Sequence, residues 1–220
     1  MTTKYQKQLT YIFDRDTTTD EDWYFLPEEG EVEYFSIFEE FEFLEQFFTT
    51  CGNDLLPFSN DQIGLGLNYI FNNACSNMVH SFRDAEVTFE RRDAALRALF
   101  ILFRDVLNLR CDKEIANKQN STYKLSKINY ICYMFWDVTS LSYWKNHDTN
   151  HYKTIAEVMQ NCLSLSNPAC IESSLHGLGH LAFSYPNIAV PIIDVFLEKN
   201  KKIDLNLINY AKSARTGMIL

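Results

Sequence analysis

The sequence predicts an all-α fold, an irregular array of roughly seven to nine helices, because several segments repeat apolar residues at helical spacing. Two further observations agree with this prediction. Glycine (7) and proline (5) are scarce among the 220 residues, which disfavours a β-sandwich or barrel built on tight turns. Hydrophobic residues make up 46% of the chain, which is enough for a sizeable core. We therefore expect a single all-helical domain over 1–220.

Charge divides this domain into an acidic, aromatic N-terminal segment (1–54) and a helical core (55–220). The N-terminal segment contains 14 acidic and three basic side chains, whereas the core contains 15 acidic and 17 basic ones. Such an acidic segment would repel a phosphate backbone, so we expect a basic protein partner and no nucleic acid. The sequence has neither a long apolar run nor a signal-peptide pattern, which predicts a cytoplasmic protein without a membrane span.

The N-terminal segment should begin irregularly, because residues 1–30 are rich in polar, charged and turn-forming residues. A helix is predicted within 31–48, where Glu31 and Glu33 would suit the positive end of its dipole. Its apolar stripe consists of Tyr34, Ile37, Phe38, Phe41, Leu44 and Phe48.

The helical core should begin with a helix that Asn60 or Asp61 caps and that ends near residues 72–73. The clearest stripe of the chain follows within 90–109, through Leu96, Leu99, Phe100, Phe103 and Leu107. Further helices are predicted over 125–144, 152–165, 169–183, 188–200 and 204–214.

Turn chemistry sets the ends of the C-terminal helices. Asn187 should cap the helix over 188–200, with Pro191 near its first turn, and Gly217 should terminate the last helix. The short turns between consecutive helices, most of all over 170–199, resemble HEAT-like helix pairs, although no repeat of fixed period occurs. The six cysteines form no C-x-x-C pair, and we interpret them as core residues without disulfides.

The stretch "CIESSLHGLGH" (170–180) is the main candidate for chemistry. Glu172, His176 and His180 lie four residues apart, so a helix would align them on one face. Ligands on three successive turns are too far apart to converge on one ion, so two at most would bind and a third must come from elsewhere. Gly177 stands where a zincin would carry its glutamate.

Structural packing is our preferred interpretation of this stretch, and metal binding and proton transfer remain the alternatives. Gly177 and Gly179 each cost a helix about 1 kcal/mol relative to alanine, which a closely approaching neighbour would explain. His147 and His151 form a second i, i+4 pair in a polar stretch, where we expect a surface loop. The sequence therefore predicts no catalytic residue, no metal ligand and no cofactor.

The acidic, aromatic stretch of 31–48 is the predicted partner surface. Phe35 and Phe43 fall off the main apolar stripe, and large aromatic side chains are good interface anchors. Carboxylates around them would steer a basic partner. The alternative is that both rings pack under residues 1–30. The predicted partner-binding residues are Glu31, Glu33, Phe35, Glu39, Glu40, Glu42, Phe43 and Glu45.

Five segments resemble a family of bacterial all-helical proteins, a resemblance that covers roughly residues 60–220 and carries over no catalytic residue. These segments are "QIGLGLNYIFNNACS" (62–76), "RCDKE" (110–114), "CYMFWD" (132–137), "CIESSLHGLGH" (170–180) and "ARTG" (214–217). By class alone, the small acidic chain also resembles immunity proteins, which neutralise a bacterial toxin domain by direct binding.

The sequence thus predicts a non-enzymatic binding protein, a cytoplasmic immunity protein whose partner is a basic cognate toxin domain. The first alternative is a metal-assisted hydrolase that uses His176 and His180. The second is a HEAT-like adaptor without a toxin partner.

Overall fold

The protein is all-helical in the residues that its computed structural model describes, 3–19, 21–26, 35–116, 125–143 and 149–219. The predicted fold class is therefore confirmed, and the number of helices roughly matches. The α-helices are α1 (Lys4–Phe13), α2 (Ile37–Asp54), α3 (Asn60–Phe71), α4 (Phe89–Leu102), α5 (Asn108–Arg110), α6 (Lys127–Val138), α7 (Thr149–Cys162), α8 (Pro168–Ser184), α9 (Pro186–Lys199) and α10 (Leu205–Arg215). Short 3₁₀ turns occupy Trp23–Phe25, Met78–Arg83 and Ser140–Ser142.

The N-terminal segment is more ordered than its composition predicts. Residues 4–13 form α1, so the expectation of an irregular start is wrong there. Thr3 begins the helix with a capping box, in which its hydroxyl accepts from the Gln6 N–H and the Gln6 side chain accepts from the Thr3 N–H. Ile12 and Phe13 anchor the helix in the core, and α1 packs against α3.

The second helix begins later than predicted. Its first residue is Ile37, because Ser36 forms a capping box with Glu39. The first-turn acids are therefore Glu39 and Glu40 instead of Glu31 and Glu33, which lie outside the described residues. Among the predicted stripe residues, Phe41, Leu44 and Phe48 are fully buried, whereas Ile37 is exposed.

The core helices follow the predicted stripes closely, and differences arise at their caps. Ser59, and not Asn60 or Asp61, caps α3. The predicted helix over 90–109 is confirmed as α4 and α5, which a π-helical turn (Phe103–Leu107) joins. Its stripe residues Leu96, Leu99, Phe103 and Leu107 are buried, whereas Phe100 is half-buried.

Helix α8 lies at the centre of the C-terminal half, where it contacts α6, α7, α9 and α10. Tyr185 alone separates α8 from α9, so these two helices form a pair with a short turn, as predicted. The predicted start of α9 is wrong: Pro186 occupies its first turn, and Pro191 lies inside the helix, because the chain enters the helix before Asn187. The last helix begins at Leu205, one residue after the predicted start, because Asp204 caps it, and the predicted terminator Gly217 (φ 73°) is confirmed.

The two glycines of α8 allow the close packing that the sequence predicts. A Cβ atom on Gly177 would lie 2.6 Å from Cγ of Trp136 and 2.7 Å from Cε of Met159. A Cβ atom on Gly179 would lie 3.1 Å from Cα of Ala214 in α10. Both glycines therefore hold neighbouring helices nearer than alanine would permit.

All six cysteines are free, and five of them are buried, as expected of core residues in this chain. None of the helices in the described ranges is long and apolar enough to cross a bilayer.

Candidate metal centre

The candidate site lies where α6 packs against α8. His176 and His180 lie one turn apart on α8, and Asp137 is the penultimate residue of α6. Gly177, between the two histidines, lets the Trp136 ring approach α8 closely, and this approach brings the neighbouring Asp137 to both imidazoles. Segments 132–137 and 170–180 thus meet in one place.

Three potential ligand atoms converge in this cluster, which we call the Asp–His–His cluster (Asp137, His176 and His180). The His176 Nε2 atom lies 2.8 Å from Oδ2 of Asp137 and 3.1 Å from Nε2 of His180. His180 Nε2 also contacts Oδ1 of Asp137. The three ligand atoms lie within 4.8 Å of one another, so one ion could contact all three.

The spacing of these atoms is compatible with an ion and also with hydrogen bonds. Donor atoms about 2.1 Å from an ion are about 3.0 Å apart on an octahedral face and about 3.4 Å apart in a tetrahedron. The separations of 2.8 and 3.1 Å from the His176 Nε2 atom lie near these values. In a metal-free arrangement, an N–H on each Nε2 can donate to a separate oxygen of the Asp137 carboxylate.

His176 is held from its other side by tyrosines. Its side chain is 2% exposed, and its Nδ1 shares a hydrogen bond with the hydroxyl of Tyr210 in α10. The Tyr133 ring packs against the imidazole at 4.8 Å between centroids, and the Tyr133 and Tyr210 hydroxyls lie 3.4 Å apart. A hydrogen bond to the second ring nitrogen fixes the orientation of a ligating histidine.

The carboxylate of Asp137 is stabilised in its charged form. Burial alone would raise its pKa, but the hydrogen bonds and charges of His176 and His180 outweigh burial and hold the pKa well below its usual range. Asp137 is therefore an anion at neutral pH. Its side chain is 24% exposed and that of His180 is 37% exposed, so water and small molecules reach the cluster from this side.

Glu172, the third member of the predicted i, i+4 series, lies apart from this arrangement. It is buried, and its Oε2 accepts a 2.6 Å hydrogen bond from the Ala116 N–H. The sequence argument that a third ligand must come from elsewhere agrees with the position of Asp137 on α6. The expectation for His151 is wrong, because this residue lies in α7, is 4% exposed and hydrogen-bonds the Leu141 carbonyl. His147 lies outside the described residues.

The predicted partner surface is partly internal. Phe43 is 3% exposed and packs 5.1 Å from the ring of Tyr5, so its role as an exposed anchor is wrong, because α1 covers this face of α2. Phe35 is half-buried, with the ammonium group of Lys4 4.7 Å from its ring centroid. The alternative interpretation, that residues before α2 cover these rings, describes Phe43 correctly.

The carboxylates of this surface differ in their surroundings. Glu45 makes a two-pronged ion pair with Arg91, at 3.0 and 2.5 Å, and Glu39 pairs with Lys4 at 2.5 Å. Glu42 is exposed, whereas Glu40 is half-buried, and burial raises the pKa of Glu40 to about 6. The structure therefore leaves Glu42 as the clearest exposed acid of the predicted set among the described residues.

Sequence reasoning missed Asp137, Tyr133 and Tyr210. One signal was available for Asp137, which is the sole acidic residue in the otherwise largely apolar stretch of α6. No local spacing connects it with histidines 39 and 43 positions later. Comparison of the chain with protein families, with curated proteins and with solved structures found no match.

Proposed function

We propose that this protein is a metal-dependent hydrolase that binds one divalent transition-metal ion through Asp137, His176 and His180. The single observation that carries the proposal is the convergence of three potential ligand atoms from two helices within 4.8 Å of one another. Three protein ligands leave coordination positions for water and substrate, as in catalytic metal sites.

The chemistry that such an ion supplies is the activation of water. Asp137, His176 and His180 would hold the ion, which would lower the pKa of a bound water and so supply a nucleophile for a carbonyl carbon at neutral pH. The protein would contribute the fixed orientation of the ligands. The Tyr210 hydroxyl would accept from the His176 Nδ1–H, which leaves Nε2 free to bind the ion.

The metal content of the purified protein tests this proposal. Untagged protein should contain close to one equivalent of zinc, iron or manganese, measured by elemental analysis after exposure to each ion and removal of the excess. His180→Ala and Asp137→Asn should lose the ion, because each removes one of three ligands and lowers affinity by at least roughly 100-fold.

A matched control is His80→Ala, since His80 is a partly exposed histidine in the 3₁₀ turn Met78–Arg83, far along the chain from the cluster. The His80→Ala variant should retain one equivalent of bound metal. The proposal fails if the wild-type protein takes up no ion, or if the control and the cluster variants take up the same amount.

Binding of a basic protein remains a second candidate function, in the form of an immunity protein that covers a toxin domain. What supports it is the acid excess of residues 1–54 together with the exposure of Glu42 and Ile37 on α2. Glu42→Lys should weaken binding to the basic protein encoded beside this chain by at least about tenfold if a desolvated contact forms there. Unchanged affinity, measured by titration calorimetry, would remove this candidate.

A further inference from the structure

A cavity of about 320 Å³ lies beside the Asp–His–His cluster, and His180 belongs to both. Aromatic side chains form much of its wall. Among the described residues that line it, none is lysine, arginine, aspartate or glutamate. The aromatic lining residues are Trp136, Tyr143, Tyr152, Phe183 and Tyr185.

The inner wall of this cavity consists of closely packed rings. Trp136 is 1% exposed and stacks on Phe103 of the π-helical turn at 5.9 Å between ring centroids. A Cβ atom on Gly177 would lie only 2.6 Å from Cγ of Trp136, so the indole approaches the backbone of α8 closely. Tyr152 and Tyr185 stack on each other at 4.3 Å. The cavity is therefore held open by packed rings.

Two aromatic rings at the rim of the cavity are open to solvent. Tyr143 and Phe183 are 59% and 82% exposed, and both line the cavity. A ligand with an aromatic ring would cover these two rings and remove their apolar surface from water.

We infer that the cavity binds the uncharged aromatic ring of an aryl carbonyl compound, an aryl amide or ester, and that the carbonyl end reaches the cluster at His180. This inference rests on the proposed metal centre for the position of the carbonyl, but the ring site depends on the cavity alone. A cationic ligand is disfavoured, because a divalent ion with one carboxylate ligand carries a net positive charge and the described lining holds no acid to offset it.

Two hydroxamates distinguish the contribution of the aromatic ring to affinity from that of the metal-binding group. Benzohydroxamate and acetohydroxamate chelate a metal through the same atoms but differ by a phenyl ring. In titration calorimetry on metal-loaded protein, benzohydroxamate should bind at least about tenfold more tightly, since burial of the ring contributes the difference. Equal affinities would overturn the inference.

Variants of the wall locate the ring. Tyr143→Ala should reduce the preference for benzohydroxamate by at least about threefold, and Ser184→Trp should abolish it by filling the cavity, while acetohydroxamate affinity stays unchanged. Tyr130→Ala, which removes an exposed tyrosine of α6 that does not line the cavity, is the matched control and should change neither affinity. A uniform loss for both ligands in Tyr143→Ala and Ser184→Trp would contradict the inference.

Benzamide on metal-free protein distinguishes failure of the ring site from failure of the metal centre. Saturation-transfer NMR should detect ring contacts that Ser184→Trp removes. If the protein takes up no ion but benzamide binds in this way, the proposed function fails and the ring site stands. If the protein takes up one ion but shows neither a ring preference nor benzamide binding, the ring site fails alone.

Discussion

The acidic stretch of α2 and the Asp–His–His cluster both contain several ionisable side chains, but the partners of their carboxylates differ. On α2, Glu39 and Glu45 are paired with Lys4 and Arg91 of the same chain. In the cluster, two histidines surround a single carboxylate, and no lysine or arginine contacts it in the described ranges. In the first region, the carboxylates pair with cations of the neighbouring helices α1 and α4. In the second, three potential ligand atoms lie within 4.8 Å of one another.

Density of charge in a sequence is therefore a weaker guide to function than the convergence of ionisable side chains in space. Surface ion pairs of the α2 type contribute little to stability, about 0.2–1 kcal/mol each, and they also lower the free charge available to a partner. Three ionisable side chains from two helices, one of them fully buried, are harder to explain by packing alone.

The largest effect is expected in α2, for Phe43→Ala. This ring is fully enclosed by Tyr5 and Phe47, so its removal should lower the free energy of unfolding by about 3–4 kcal/mol. Phe35→Ala, the matched variant at a half-buried ring, should cost under about 1 kcal/mol. Chemical denaturation measures the free energy of unfolding of both variants. A loss for Phe43→Ala as small as that for Phe35→Ala would show that the Phe43 ring is exposed, as the sequence predicts for an interface anchor.

Next in size is Gly177→Ala in α8, which tests the close approach that builds the cluster. The added methyl group would meet the buried Trp136 ring at 2.6 Å, so we expect a loss of about 2–3 kcal/mol in thermal or chemical unfolding, despite the better helix propensity of alanine. A gain in stability would show that α6 and α8 are further apart than described, and it would remove the basis for the cluster.

A smaller effect, about tenfold in metal affinity, is expected for Tyr210→Phe. The hydroxyl orients His176 through Nδ1, and loss of such a partner lowers affinity by about 10- to 100-fold. A competition assay with a chromophoric chelator measures the change. Tyr130→Phe, at an exposed tyrosine, is the control, and equal affinities for both variants would contradict the positioning role of Tyr210.

The smallest effect concerns Glu40, and it depends on pH. Burial raises the pKa of Glu40 to about 6 from an ordinary value of 4.5, so the charged form opposes folding. The stability that the neutral form provides is complete below pH 4.5 and is lost as the pH rises through about 6. Glu40→Gln should therefore stabilise the protein at pH 7.5 by about 1 kcal/mol, after allowance for partial exposure.

The matched control for Glu40→Gln is Glu42→Gln on the exposed face of α2. At pH 4 neither substitution should change the midpoint of denaturation, and at pH 7.5 only Glu40→Gln should raise it. A pH-independent effect of Glu40→Gln would contradict the raised pKa.

Much of the fold follows from periodicity. The stripe through Leu96, Leu99 and Phe103 predicts which face of α4 and of the following π-helical turn is buried. The apolar pattern through Ile131 and Phe135 likewise predicts the buried face of α6. The missed helix α1 shows the limit of composition, because its capping box at Thr3 and Gln6 lies inside a polar stretch. Caps depend on a few backbone hydrogen bonds, so their prediction fails by one or two residues, as at Ser59.

The sequence predicts only the two histidines of the candidate site, and not the carboxylate. The spacing of His176 and His180 places them on one face of α8, and this was visible in the sequence. The contribution of Asp137 depends on how closely α6 approaches α8, which Gly177 and Trp136 decide together. Burial of Phe43 likewise depends on α1. Long-range packing of this kind has no local signature, so sequence spacing alone could not reveal it.

X-ray absorption spectroscopy at the metal edge identifies the ligand atoms of the proposed metal centre. On protein loaded with the ion that it retains, the spectrum should show a first shell of nitrogen and oxygen at about 2.0–2.2 Å, with the outer-shell scattering of two imidazoles and no sulfur. Asp137→Asn should lower the bound metal and alter this shell. A first shell that contains sulfur would place the ion at the buried cysteines instead, and protein that retains no ion at all would contradict the metal centre outright.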